Sequence, residues 1–321
     1  MVDTVLSGGW IIDGTRTPPY QADLCIQDGK IVAISPQWEG NCRTRVDVTG
    51  KIVSPGFIDI HTHSDTCPFS AVFPESKVAQ GITLEIVGNC GVSAVPILPS
   101  CQAEQTAYLR KISEIPVPEE AVRDASVQKY AAHVAQTGYP SHLGTLIGQG
   151  TLRAGIVGFQ DRPLTPSEME QMKFLLDDQL NQGALGLSLG LIYPPGSFSP
   201  TSELRELARV VQKHKKILAV HMRNEGPNIF QAVEEMLSIA EETGVHLHIS
   251  HLKLMGKAQW GQAPRLLERI EASRQRGAVV TCDQYPYTAT STILAALLPR
   301  RAYDGGSAAM LRRVSDPDTS L

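Results

Sequence analysis

No stretch of this 321-residue chain approaches the ~20 consecutive apolar residues that span a bilayer. Its start, MVDTVLSGGW, lacks the basic region and apolar run of a secretory leader. A cytoplasmic protein is the expectation. Basic clusters are lacking too: 29 Lys and Arg face 33 Asp and Glu, giving a net charge of −4 and a pI near 6.1. With those cations scattered, neither nucleic acid nor an anionic membrane is expected as partner, and a small, roughly neutral substrate suits the chain better. Oligomeric state stays open. Six cysteines, Cys25, Cys42, Cys67, Cys90, Cys101 and Cys282, are too sparse for a disulfide scaffold and read as reduced thiols. Solenoid repeats and low-complexity tracts are absent as well.

What is there is an ordinary globular composition, 42% hydrophobic and 19% charged, enough for one large domain and a small one. Residues 1–55 are short β-rich pieces, with a hairpin turn expected at Asp28 and Gly29, and read as a small N-terminal β-sandwich or meander. From Pro55 the rhythm changes to apolar strands alternating with amphipathic helices. Seven strands are expected, over 56–63, 82–89, 142–148, 184–191, 217–223, 245–251 and 278–285. The segments AVRDASVQKYAAHVAQTG, TPSEMEQMKFLLDDQLNQG and PNIFQAVEEMLSIAEETG read as helices that close on glycine. The fold class is therefore α/β: a (β/α)8 TIM-type barrel over 56–321, C-terminally incomplete with seven βα units visible.

Such barrels carry their chemistry at the C-terminal ends of the strands. FIDIHTHSD ends the first with His61 and His63, which share one face if the strand continues through them. Cys90 follows the second in VGNCG, His221 lies near the end of the fifth, and His251 ends the sixth. Imidazole and thiolate both suit zinc, so these five are the candidate ligands of a one-metal or two-metal site. His133, His142, His214, His246 and His248 lack that placement and read as structural or surface residues. Arg223, two residues beyond His221, is a candidate for holding a carboxylate. Tyr285 and Tyr287 are candidates for the mouth of the site, and Asn224 and Glu225 for orienting histidine rings.

GFIDIHTHSD, GITLEIVGNCGVSAVP, LGLSLGLIYPPG, VHMRNEG, ISHLK and DQYPYTATST, in this order and spacing, resemble the N-acyl-D-amino-acid deacylases (D-aminoacylases) of the amidohydrolase superfamily. The resemblance covers nearly the whole chain. It implies a small β-domain on a distorted barrel that hydrolyses N-acyl-D-amino acids to a D-amino acid and a carboxylate. It also implies that Cys90, His221 and His251 hold a tightly bound Zn2+, and that His61 and His63, sharing Cys90, form a second, weaker site. Tyr193 in LIYPPG would polarise the scissile carbonyl, and Lys253 would help hold the substrate carboxylate.

Two departures from the family pattern stand out. The family's strand-eight aspartate, which takes the water proton, has no candidate here; Asp283 ends strand seven, and Asp59 and Asp65 are no better placed. The arginine that some members place after the YPY segment has no match before Arg300 and Arg301. The chain thus reads as truncated, with exposed strand edges that favour association and with activity lowered ~100- to 10,000-fold for want of a general base. Two alternatives accompany the deacylase reading: a non-catalytic zinc- or partner-binding remnant, and a cyclic amidase of the hydantoinase or dihydroorotase kind. The latter usually bridges its metals with a modified lysine on strand four, and LGLSLGLIY offers none.

Overall fold

The computed structural model describes residues 1–70, 75–110, 113, 117, 123, 125–316 and 318. The chain divides into two compact units, Met1–Phe57 and Ile58–Leu321.

The first unit is built on β1 (Val2–Ile11), β2 (Tyr20–Gln27), β3 (Lys30–Ser35), β4 (Cys42–Asp47) and β5 (Ile52–Val53). They form one sheet in the order β3-β2-β1-β4, with β5 also on β1. The expected hairpin is present: Asp28 and Gly29 take φ of 50° and 71°, and Gln27 pairs with Lys30. Of the sandwich or meander expected here, the described residues show a single sheet, in which Ile31 and Val32 of β3 are 63% and 51% exposed.

The second unit opens at β6 (Phe57–Asp59) and continues with α1 (Glu75–Ala79), β7 (Ile82–Val87), α2 (Gln102–Leu109) and α3 (Val127–Thr137). β8 (His142–Thr145) and β9 (Ile147–Gly148) follow, then α4 (Gln149–Ile156), α5 (Pro166–Asn181) and β10 (Gly186–Gly190). α6 (Thr201–Lys213), β11 (Ile217–His221), α7 (Ile229–Thr243), β12 (His246–Ile249), α8 (Ala263–Gln275), β13 (Val280–Cys282) and α9 (Gly306–Ser315) complete it. The strands lie in two sheets, β6-β7-β8 and β9-β10-β11-β12-β13. Only Leu146 separates β8 from β9, and its N–H donates to the Val87 carbonyl at 2.9 Å. The next sheet is tied on by Leu185 N donating to Thr145 O at 2.8 Å. Chain order is thus spatial order, the arrangement that parallel strands joined by helices produce.

Parallel strands covered by helices bury both faces, and all five residues of β10 are buried. The main core packs Leu187, Leu189, Leu218, Val220 and Leu247 against Met172 and Leu176 of α5 and Leu204 and Leu207 of α6. α3 and α7 end on Gly138 and Gly244 in the left-handed region, as expected. The front of the first expected helix, 121–122 and 124, lies outside the described residues. No helix among the described residues is long and apolar enough to cross a membrane.

α5 shows how its start is encoded. The Thr165 side chain accepts from Glu168 N, the Glu168 carboxylate accepts from Thr165 N, and proline follows the cap. Arg162 hydrogen bonds hold the Glu168 carboxyl down at about 2, against burial that raises it. Its folded value lies below the ordinary 4.5, so its contribution is present above pH 4.5 and is lost as pH falls towards 2. Thr165→Ala is expected to cost ~1 kcal/mol, read as a shift in the urea midpoint at pH 7. An unchanged midpoint would remove the cap from the explanation.

Candidate metal centre

The loops that leave the C-terminal ends of the strands carry the polar residues. His61 comes two residues after β6, Cys90 three after β7 and Tyr193 three after β10. His221 is the last residue of β11, His251 comes two after β12, and Asp283 directly follows β13.

Cys90 is held by backbone packed on backbone. It takes φ 53° between Gly88 and Gly91, both in the left-handed region. A Cβ on Gly190 would lie 1.9 Å from the Cys90 carbonyl oxygen, and one on Gly91 would lie 2.5 Å from Gly190 N. The GNCG turn therefore sits directly on the end of β10, which only glycine at these positions permits. Ser188 completes the seat by accepting from Gly91 N at 3.0 Å and donating to the Gly88 carbonyl at 2.5 Å.

From that seat the Cys90 Sγ lies 3.3 Å from His61 Nε2 and 3.5 Å from His251 Nε2. The other nitrogen of His251, Nδ1, lies 3.1 Å from Glu225 Oε1, which is 3.7 Å from His221 Nε2. Two donor groups thus meet at His251: His61, Cys90 and His251, and His221, Glu225 and His251, with ligand atoms in each group within 4.8 Å of one another. Glu225, expected to orient a ring, does contact His251 Nδ1, and its carboxylate also stands among the donors.

Burial sets the protonation of these groups. It drives His221 well below the ordinary histidine value and His63 down to about 3, the latter aided by His61, His251 and Lys77. Burial, then the charges of Glu225 and Asp283, push the Cys90 thiol up. For Glu225 burial alone would raise the carboxyl, but the His251 hydrogen bond and the charges of His221 and Lys253 hold it at about 2. Both ring nitrogens of His221 and Nδ1 of His63 are buried without a hydrogen-bond partner. Such orphaned atoms cost ~1–3 kcal/mol each, and a cation supplies the missing partner. Imidazoles, a cysteine sulfur and a carboxylate are a donor set that fits a borderline-soft ion such as zinc.

A cavity of about 580 Å³ opens over the cluster, lined by His63, Cys90, Tyr193, His221, Glu225, His251, Lys253 and Tyr285 among others. The Tyr193 ring stands edge-on to His221 at 4.8 Å, and its hydroxyl pairs with Thr292 Oγ1 at 2.8 Å. Burial raises that phenol to about 12. Several sequence expectations need correction. β6 ends at Asp59, so His61 and His63 do not share a strand face; their rings are perpendicular, and His63 joins neither donor group. β11 ends at His221, so Arg223 turns away from the cavity to an ion pair with Glu235 at 3.0 Å and to the carbonyls of Ser197 and Ser199. Lys253 lies beside the donors: its Nζ meets Glu225 at 2.6 Å and His251 Nδ1 at 2.9 Å, 5.5 Å from the Tyr285 ring centroid. Asn224 caps the backbone of Gly226 and Asn228 rather than a ring.

Comparisons with known proteins bear on this geometry. The profile of the amidohydrolase family matches residues 44–288. A D-aminoacylase of Alcaligenes xylosoxydans xylosoxydans is 36% identical over 292 residues, 91% of this chain and 59% of that protein. The crystal structure of an N-acyl-D-glutamate deacylase from Bordetella bronchiseptica, complexed with zinc and a phosphonate inhibitor that mimics the tetrahedral intermediate, superposes with a TM-score of 0.84 at 38% identity. It is covered over 61% of its length by 94% of this chain. A D-aminoacylase structure described as having a binuclear metal centre, activated by one metal and attenuated by the second, gives a TM-score of 0.81 at 36% identity, with 89% of this chain covering 59% of it. The chain spans about three-fifths of the length of these relatives.

Proposed function

Because the chain belongs to the amidohydrolase family and is similar to its D-aminoacylases, we propose that it hydrolyses the amide bond of N-acyl-D-amino acids at the rim of a distorted (β/α)8 barrel. The observation that carries this reading is the meeting of two donor groups at His251 beneath one cavity, with the buried nitrogens of His221 unpartnered.

Zinc held by Cys90, His221 and His251, with a weaker second ion at His61 and the shared Cys90, would supply a water that ionises near neutral pH and positive charge for the amide carbonyl oxygen. Tyr193 keeps its proton, and its hydroxyl donates a hydrogen bond to that oxygen in exchange for Thr292. Loss of such a donor costs ~3–4 kcal/mol in other enzymes. Lys253 carries the charge that meets the substrate carboxylate, with the Tyr285 ring beside it, and Glu225 neutralises that charge in the free protein. Glu225 also fixes His251 through Nδ1, leaving Nε2 directed at Cys90. β10, GLSLG, offers no lysine to bridge metals, which favours a linear amide over the cyclic amides of hydantoinase-like enzymes.

The test is release of free D-amino acid from N-acetyl-D-methionine, with the L-enantiomer as control, before and after dialysis against a chelator. D-selective turnover, lost with the chelator and restored by zinc, is expected. Turnover indifferent to the chelator, or equal for both enantiomers, would contradict the proposal.

A further inference from the structure

We infer that Asp283 is a positioning residue that sets two of the candidate ligands at once, the ring of His61 and the backbone of His251. This inference rests on the metal-dependent reading above.

Asp283 is the first residue past β13, with a side chain 11% exposed. Its Oδ2 accepts from His61 Nδ1 at 3.3 Å and from His248 Nε2 at 2.8 Å, while Oδ1 accepts from His251 N at 2.5 Å. Its main chain is engaged on the same segment: Asp283 N donates to the Ile249 carbonyl at 3.1 Å, and Leu252 N donates to the Asp283 carbonyl at 2.9 Å. One residue therefore brackets 249–252 and reaches across to the loop after β6.

Each bond has a chemical consequence. A neutral imidazole carries one proton, and a ligand nitrogen must be the bare one. A carboxylate accepting from His61 Nδ1 places the proton there and leaves Nε2 free, and Nε2 is the atom 3.3 Å from Cys90 Sγ. His251 takes φ 37°, uncommon for a residue with a side chain. The bond from its N–H to Oδ1 holds that conformation and directs Nε2 at the same sulfur. His248, expected from sequence to be merely structural, is the second donor that keeps Oδ2 oriented.

Asp283→Asn is nearly isosteric, but its amide nitrogen donates where Oδ2 accepted, which favours the opposite His61 tautomer. Zinc affinity measured by competition with a chromophoric chelator is expected to fall ~10- to 100-fold, in line with loss of a ligand's outer partner. His248→Phe, which leaves Oδ2 and His61 in place, is expected to lose less. A second readout does not depend on the Asp283 variant: in the metal-free wild-type chain, 15N spectra of labelled histidine are expected to show His61 protonated on Nδ1, its signal assigned by its absence in His61→Gln. Wild-type zinc affinity in Asp283→Asn, or a His61 proton on Nε2, overturns the inference. Wild-type protein that binds no zinc would instead overturn the metal reading beneath it, so the two failures are distinguishable.

Discussion

Cys90→Ala is expected to leave the chain without its tightly held cation and to lower turnover of N-acetyl-D-methionine by more than the ~10- to 100-fold that loss of a ligand's outer partner costs. The sulfur stands within 3.5 Å of both the His61 and the His251 ring. Without it the first donor group retains two imidazoles and the second keeps no link to His61. Folding is not the reason for the loss, because alanine fits the volume and meets the same φ as cysteine, 53°. The metal-free variant should therefore melt near the metal-free wild type, whereas the zinc-dependent rise in Tm expected of the wild type should be absent. Elemental analysis and calorimetry check both halves. Retained zinc and turnover would remove Cys90 from the site.

Glu203→Leu is expected to cost 3–5 kcal/mol, the range for breaking a buried ion pair by removing one partner. Arg153 of α4 is fully buried, and its Nη1 meets both carboxylate oxygens of Glu203 of α6 at 2.7 Å. Ser199 Oγ and Gln149 Nε2 complete the carboxylate at 2.6 and 3.3 Å. Removing Glu203 leaves a buried guanidinium without its counter-charge, keeping only the Ser199 hydroxyl and the Arg162 carbonyl as acceptors. Adding Arg153→Met should recover most of the loss, since an apolar pair of similar volume avoids the desolvation cost of both charges. Urea unfolding of both single variants and the double variant gives the coupling directly. If Glu203→Leu costs under 1 kcal/mol, the pair contributes shape rather than electrostatics.

Much of this site was legible before any coordinates. A β/α rhythm places strand ends on one rim, and Cys90, His221 and His251 stand at such ends in the sequence. The residues misjudged are those lying just past a strand, where alternation no longer governs direction. β11 stops at His221, so Arg223 follows a loop to Glu235 instead of the cavity. β6 stops at Asp59, so His63 parts from His61. Glu225 enters the donor set because the same loop after β11 folds back on His251, a contact 26 residues apart that no local pattern encodes.

The most direct measurement is a cobalt titration of the metal-free chain followed in the near ultraviolet. A cation seated among Cys90, His221 and His251 should give a thiolate-to-cobalt band that saturates at one equivalent, vanishes in Cys90→Ala and weakens in His221→Ala. No band, or one unchanged in Cys90→Ala, would contradict the site.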